Sequence, residues 1–143
     1  MARPKSYTDL IVWQKAMELA RSVYKLSSKL PRNETHGLLS QMRRAGVSVP
    51  SNIAEGYGRL TDLQFRVFLG NARGSLYELQ TQLRLAGDLN YIEANQVNEL
   101  LEQSSVVGRL INALVASLGR RGPANSCAPS PANSANAANS ATS

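Results

Sequence analysis

Three arginines and a tyrosine follow one line along a predicted helix in the middle of the 143-residue chain. Arg66, Arg73 and Arg84 are seven and eleven residues apart, so they project in nearly the same direction over about 27 Å of helix. Tyr77 falls on the same line. Guanidinium groups contact phosphates and an exposed aromatic ring stacks on an unpaired base, so these four residues, called the arginine row below, are a candidate nucleic-acid-binding surface.

The distribution of charge allows a second interpretation of the arginine row. Residues 1–84 carry a net charge of +7, whereas residues 85–119 carry −3, so the arginines could instead form a solvated face or pair with acidic residues of a later helix. Those acidic residues are Glu93, Glu99 and Glu102. The overall charge of +6 and the pI near 9.9 favour an anionic partner such as nucleic acid, although a basic surface also serves solubility alone.

Few side chains suited to catalysis or metal binding occur in the chain. The single histidine, His36, follows Glu34 by two residues, whereas di-metal bundles space a carboxylate and a histidine by three. One histidine also cannot build a catalytic triad or a usual zinc site, and the single cysteine, Cys127, cannot form an internal disulfide. Glu55 could act as a base beside Arg59, but an i, i+4 ion pair or a subunit contact is the stronger interpretation. We therefore expect no enzyme activity, no metal and no cofactor.

Apolar residues at steps of three and four predict a first helix that ends before Pro31. Ser6 and Asp9 resemble a capping box that opens this helix. Trp13, the one tryptophan, is expected to be a core anchor rather than a ligand platform, because it buries a large area. The predicted core line is Leu10, Trp13, Met17, Ala20 and Tyr24.

The stretch 38–59 predicts a second helix with two parallel lines of side chains. The apolar line is Leu38, Met42, Ala45, Val49, Ile53 and Tyr57. The polar line, which could contact another chain, is Gln41, Arg44, Ser48, Asn52, Glu55 and Arg59. Pro50 lies inside this pattern, four residues after Gly46, and the unbroken periodicity favours a kinked helix. The alternative is a second short helix that begins at Pro50 with Ser48 as its cap.

Two further helices complete the pattern. Thr61 and Gln64 form a second capping box, so the third helix is expected to start near Asp62. Its core line is Phe65, Phe68, Ala72, Leu76, Leu79, Leu83 and Ala86. Gly70 and Gly74 lie four apart on it and suggest a close approach of another helix. The fourth helix is expected from about residue 93 to residue 118, with the line Val97, Leu100, Ser104, Val107, Ile111, Leu114 and Leu118.

Four helices with short connections predict one all-α domain, an antiparallel four-helix bundle over residues 1–118. Residues 119–143 are poor in large apolar side chains and are expected to form a disordered low-complexity tail, in which Arg120 and Arg121 either bind a partner or only aid solubility. The start of the chain has no apolar run of the signal-peptide kind, and no segment is apolar enough to span a bilayer. A soluble, cytoplasmic protein is therefore expected.

Three segments resemble a known family of small bacterial four-helix bundles. They are DLIVWQKAMELA (9–20), GLLSQMRRAGVSVPSNIAEGYGR (37–59) and GSLYELQTQL (74–83). The family is named for open reading frames inside intervening sequences of 23S ribosomal RNA. The likeness covers about residues 6–118, and its polar signature falls on Arg43, Arg44, Asn52, Glu55 and Arg59.

This resemblance implies a left-handed up-down-up-down bundle that assembles into a closed homopentamer. It implies no enzyme activity. Distant relatives, the accessory proteins of diversity-generating retroelements, bind a reverse transcriptase and nucleic acid through basic surfaces. Two functions are therefore expected: an oligomeric bundle that binds RNA or other nucleic acid through the arginine row, or a protein-interaction scaffold with no nucleic-acid role.

Overall fold

The computed structural model describes the backbone of residues 4–121 and the side chains of residues 4–120. Most of these residues form four long α-helices. These are α1 (Ile11–Ser27), α2 (Leu38–Tyr57), α3 (Asp62–Asp88) and α4 (Ala94–Arg121). Two short 3₁₀ helices, Tyr7–Asp9 and Arg32–Glu34, precede α1 and α2. Within residues 4–121 no strand is present, so the predicted all-α four-helix fold is confirmed.

Each helix packs against two neighbours around one apolar core. α1 contacts α2 and α4, and α3 also contacts α2 and α4, so α1 and α3 lie diagonally across the bundle. All four helices contribute fully buried side chains, for example Leu19, Met42, Leu76 and Ile111. Burial of one such side chain stabilises the fold by about 1.5–3 kcal/mol, so the core line of each helix fixes its rotation.

The core face of α1 differs from the predicted one by about one residue. The buried line is Val12, Ala16, Leu19, Val23 and Leu26. Of the predicted line, Ala20 is buried, but Trp13 and Met17 are half-buried and Tyr24 is exposed. Trp13 packs against the core but is not the fully buried anchor that was predicted, because α1 carries two neighbouring apolar lines and the smaller side chains face the core. Val23 packs over Gly46 of α2, 3.5 Å from the place where a Cβ would stand.

The start of α1 also differs from the prediction. Ser6 caps the 3₁₀ helix Tyr7–Asp9, where its hydroxyl accepts a hydrogen bond from the Thr8 N–H at 3.3 Å. α1 itself begins at Ile11, and Leu10 precedes it without a side-chain cap. The predicted capping box therefore opens the short helix and not α1.

α2 runs without interruption through Pro50, which is buried. Of its predicted apolar line, Met42, Ala45, Val49 and Ile53 are in the core, whereas the two end members, Leu38 and Tyr57, are half-buried. No second helix begins at Pro50, so the alternative with Ser48 as a cap was wrong. The kink near Pro50 stays a prediction.

α3 begins as predicted, because the Gln64 N–H donates to the Thr61 hydroxyl at 3.2 Å. Its core line holds from Ala72 to Ala86, whereas Phe65 and Phe68 are half-buried and Leu69 takes the buried position at the start. Gly70 and Gly74 are exposed, and a Cβ added at either would meet no atom within 4 Å. Within residues 4–121, therefore, no helix makes the close approach that was expected at these glycines.

α4 begins one residue later than predicted and continues to Arg121, three residues beyond the predicted end. Its predicted core line is buried except for Leu114, which is half-buried. The one polar member, Ser104, is fully buried and bonded: its hydroxyl donates to the Leu101 carbonyl at 2.8 Å and accepts from the Gln80 amide at 3.0 Å. The expected tail beyond residue 121, with Cys127, lies outside the described residues.

Two hydrogen bonds join distant parts of the chain at the ends of the bundle. The Tyr57 hydroxyl donates to the Pro4 carbonyl at 2.8 Å, and the Tyr91 hydroxyl donates to a Glu34 carboxylate oxygen at 3.1 Å. The second bond brings the α1–α2 connection beside the α3–α4 connection, as antiparallel neighbours would. The left-handed up-down-up-down order stays a prediction. Among residues 4–121, no helix combines the length and hydropathy needed to cross a membrane.

Candidate functional site

The arginine row lies along the border between α3 and α4. Arg73 donates to the Asn112 side-chain oxygen on α4 at 3.0 Å. The guanidinium carbon of Arg66 lies 3.8 Å from the place where a Cβ on Gly119 would stand. Arg84 lines a shallow cleft whose other side is formed by α4. The structure therefore brings the three guanidinium groups to one edge of the bundle.

None of the arginines in the row forms an ion pair within the described residues. The two salt bridges found there are Lys15 with Glu18 at 3.3 Å and Arg59 with Glu55 at 3.2 Å. The alternative in which these arginines pair with Glu93, Glu99 and Glu102 is thus not observed among the described residues, although Glu102 lines the same cleft as Arg84. Tyr77 is 50% exposed, so its ring is accessible beside the arginines.

Part of the polar line on α2 holds the bundle together instead of facing outward. The Ser48 hydroxyl bonds to that of Ser75 on α3 at 2.8 Å. The Asn52 amide donates to the Ser48 carbonyl at 2.8 Å and to its hydroxyl at 3.0 Å. Arg59 pairs with Glu55 and also lies over the ring of Phe68, 4.4 Å from its centroid. Gln41 and Arg44 remain exposed.

Arg43 on α2 forms hydrogen bonds to two residues near the end of α1. Its Nε donates to the hydroxyl of buried Ser27 at 2.9 Å, and its Nη2 donates to the Tyr24 carbonyl at 3.2 Å. The guanidinium carbon lies 4.5 Å from the centroid of the Tyr24 ring, within the range of a cation–π contact. A residue of the family signature therefore acts as a structural link while it keeps its positive charge at the surface.

An open apolar groove of about 670 Å³ lies between α1 and α2. We call it the trench; it is lined by Tyr7, Trp13, Met17, Ala20, Arg21, Tyr24, Lys25, Val47, Pro50, Ser51 and Ala54. Within it the rings of Trp13 and Tyr7 pack edge to face, with centroids 5.3 Å apart. The trench contains four of the five residues that were expected on the core line of the first helix, all except Leu10. The presence of this second apolar line on α1 was the feature of the sequence that could have predicted the trench.

A second cleft adjoins the trench and shares two of its residues, Tyr24 and Val47. This basic cleft also contains His36, Arg43 and Arg44. Neither the trench nor the basic cleft has a carboxylate among its lining residues. The α1–α2 side of the bundle therefore combines an apolar groove with uncompensated positive charge.

The outer face of α3 is a third exposed surface. Leu60, just before α3, is 97% exposed, and Leu63 and Val67 are 70% and 57% exposed. Further along the same face come Gly70 and Gly74, with open space above them. Large apolar side chains grouped on one helix face usually mark a contact with another molecule.

The family model described as 23S rRNA-intervening sequence protein matches residues 8–113. The chain belongs to this family. No curated protein matches the sequence. The fold also resembles the crystal structure of a protein of unknown function from the S23 ribosomal protein family of Bacteroides thetaiotaomicron, with a TM-score of 0.69 and 23% identity over 73% of this chain and 98% of that one. At this identity the likeness concerns the fold alone.

The family match includes the basic cleft, the arginine row and every lining residue of the trench except Tyr7. It therefore confirms the resemblance seen in the three sequence segments. The last turns of α4 lie beyond the matched residues. Among the described residues, no three His, Cys, Asp or Glu side chains come together as metal ligands.

Proposed function

We propose that the protein is a non-enzymatic, oligomeric helical bundle that binds RNA or other nucleic acid through the arginine row. The observation that carries the proposal is the uncompensated charge of the row: in residues 4–120 its arginines have no carboxylate partner, and the partner of Arg73 is the neutral Asn112. Charge spread over about 27 Å of helix can follow several phosphates. Tyr77 supplies an exposed ring for base stacking.

Self-association would strengthen such a surface by repeating it. The exposed apolar face of α3 supports contact between copies, and the family resemblance implies five subunits in a ring. At +6 for each chain, five copies carry about +30, which attracts polyanions at low ionic strength. The subunit number and the nucleic-acid role are both parts of the proposal.

The test measures the affinity of the full-length protein for RNA across a salt series, after nuclease treatment has removed any nucleic acid that was purified with it. The triple variant Arg66→Ala, Arg73→Ala and Arg84→Ala should lose at least about tenfold in affinity near physiological salt. Its slope of log affinity against log salt should fall by about two for a single strand, since each lost phosphate contact contributes about 0.7. Sedimentation of the variant should show that its assembly is unchanged.

A matched control removes the same number of charges elsewhere. Lys5, Lys29 and Arg32 are exposed and lie outside the row, so their replacement by alanine should leave most of the affinity intact. An equal loss in both triple variants would show that only net charge matters. The absence of wild-type binding at about 0.15 M salt would reject the nucleic-acid function.

A protein-interaction scaffold with no nucleic-acid role is the second candidate, and the trench favours it. A wide, apolar, exposed groove is a feature of protein-binding surfaces. A wild-type protein that assembles but does not bind RNA near physiological salt would support this function. Replacement of Arg44 or Glu55, both exposed on α2, tests whether the polar line joins subunits; a variant that stays fully assembled and equally stable would exclude that role.

A further inference from the structure

We propose that the trench and the adjoining basic cleft form one docking surface, and that its occupant is an acidic amphipathic helix of a partner protein. This surface lies on the α1–α2 side of the bundle. The arginine row lies at the α3–α4 border, on the opposite side, so the proposal does not depend on nucleic-acid binding. It gives the scaffold function a defined site.

The shape and lining of the trench fit a helix with large apolar side chains. Its volume of about 670 Å³ equals that of about twenty water molecules, so several side chains can enter it. The stretch of α1 that forms one wall, from Trp13 to Tyr24, is about 17 Å long. Three turns of a bound helix span the same length and present anchors at i, i+4 and i+7.

The charges around this surface select an acidic partner. Arg21 and Lys25 belong to the lining of the trench, and Arg43, Arg44 and His36 to that of the basic cleft. Arg43 is held in place by Ser27 and Tyr24, so little side-chain entropy is lost when a carboxylate binds to it. Carboxylates on the flanks of a bound helix would meet positive groups at both clefts, since neither contains an acidic residue.

Two other occupants fit the surface less well. A nucleobase in the trench would find few polar partners for its edges, because Ser51, Tyr7 and Tyr24 are the polar residues there apart from the charged Arg21 and Lys25. A second copy inserting the outer face of α3 would bring Arg66 and Arg73 near the basic residues of the trench. Like charges in such a contact oppose association.

Trp13 provides a direct readout, since it is the single tryptophan of the chain and lines the trench. The probes are two synthetic 18-residue amphipathic peptides without tryptophan, with the same leucine face but either glutamates or lysines on the polar face. The glutamate peptide should shift Trp13 emission to shorter wavelength in a saturable way at micromolar concentration. The lysine peptide should bind at least about tenfold more weakly.

Charge reversal in the trench tests the electrostatic part of the proposal. Arg21 and Lys25 are exposed, so the variant Arg21→Glu with Lys25→Glu keeps the core intact. It should weaken the glutamate peptide at least about tenfold and strengthen the lysine peptide. The control variant Lys29→Glu with Arg32→Glu changes the charge by the same amount at two exposed positions outside the trench and should bind both peptides nearly as the wild type does.

Several outcomes would overturn the proposal. One is that the glutamate peptide causes no saturable shift of Trp13 emission. Another is that charge reversal at Arg21 and Lys25 leaves the affinity for both peptides unchanged. A Trp13 shift that grows with protein concentration alone would assign the trench to a second copy, and displacement of the peptide by a single-stranded oligonucleotide would assign it to nucleic acid. The variant lacking Arg66, Arg73 and Arg84 should bind the glutamate peptide like the wild type, so failure of either site can be recognised separately.

Discussion

Ser104 shows how one polar side chain is accommodated in the apolar core line of α4. Its hydroxyl is the acceptor for the half-buried amide of Gln80. Ser104→Ala should therefore lower the free energy of unfolding by about 1–2 kcal/mol, because this amide loses its partner. Urea denaturation measures the change. The double variant Ser104→Ala with Gln80→Leu should recover part of the loss, whereas Ser105→Ala at the exposed neighbouring position should have little effect.

Tyr91 is a second residue whose surroundings have a measurable effect, in this case on its pKa. The hydrogen bond to Glu34, with smaller contributions from burial and from the carboxylate charge, raises the pKa of Tyr91 above its usual value of 10.0. The folded state thus holds the phenol proton more tightly than the unfolded state does. The stabilisation is complete below pH 10 and is lost as the pH rises through the folded pKa.

Spectrophotometric titration of the tyrosines tests this assignment. The titration of the wild type minus that of Tyr91→Phe should give a curve with its midpoint above pH 10. Glu34→Gln should move that midpoint down, because it removes the carboxylate charge and keeps an acceptor. A Tyr91 midpoint that is unchanged by Glu34→Gln would contradict the role of the Glu34 carboxylate.

At the scale of the helices, three glycines with different surroundings should respond differently to alanine. At Gly56 a Cβ would stand 2.7 Å from the Cβ of Phe68 and 2.9 Å from a ring carbon of Phe65, so Gly56→Ala should destabilise the fold by about 1–3 kcal/mol. At Gly70 and Gly74 the space is open, so alanine should stabilise α3 by up to about 1 kcal/mol each. Thermal unfolding at low protein concentration measures all three.

The same glycines connect stability to assembly. Gly70 and Gly74 lie on the outer face of α3, where a helix from another copy could approach closely. If it does, alanine there would stabilise the single chain and weaken the oligomer. A loss of stability in the isolated chain would contradict the open surroundings seen at both positions.

Helix α1 illustrates what periodicity could and could not predict. The existence of all four helices, the cap at Thr61 and most of the core lines of α2 and α4 followed from residue types and their spacing. In α1 two apolar lines share the same spacing, and contacts with other helices, such as that of Val23 over Gly46, select which one faces the core. The trench was missed for this reason, since Trp13 and Met17 were assigned to the interior.

The candidate surfaces were predictable to different degrees. The spacing of its residues predicted the arginine row. Whether acidic residues of α4 pair with it could be decided only from the positions of the side chains in the structure. The roles of Arg43 and Ser48 depend on contacts across 16 and 27 residues of sequence, which no local pattern encodes.

At the scale of the whole molecule, the outer face of α3 should control self-association. Leu63→Lys or Val67→Lys changes an exposed position, so the isolated chain should fold normally. If the face joins subunits, each lysine should reduce the oligomer mass measured by sedimentation velocity, because a charge would be buried in the contact. Gln64→Lys, an equal charge gain at another exposed position of α3, is the control. Unchanged mass in both apolar-face variants would move the subunit contact elsewhere.

The first and last described segments of the chain lie at the same end of the bundle, beside the connection between α2 and α3. Pro4 is bonded to Tyr57 at the end of α2, and Gly119 lies against Arg66 near the start of α3. A short linker could therefore join the two ends, and new termini could open in the connection between α1 and α2. Such a circular permutant would keep every helix–helix contact of the core, which separates the order of the helices along the chain from the architecture that they build.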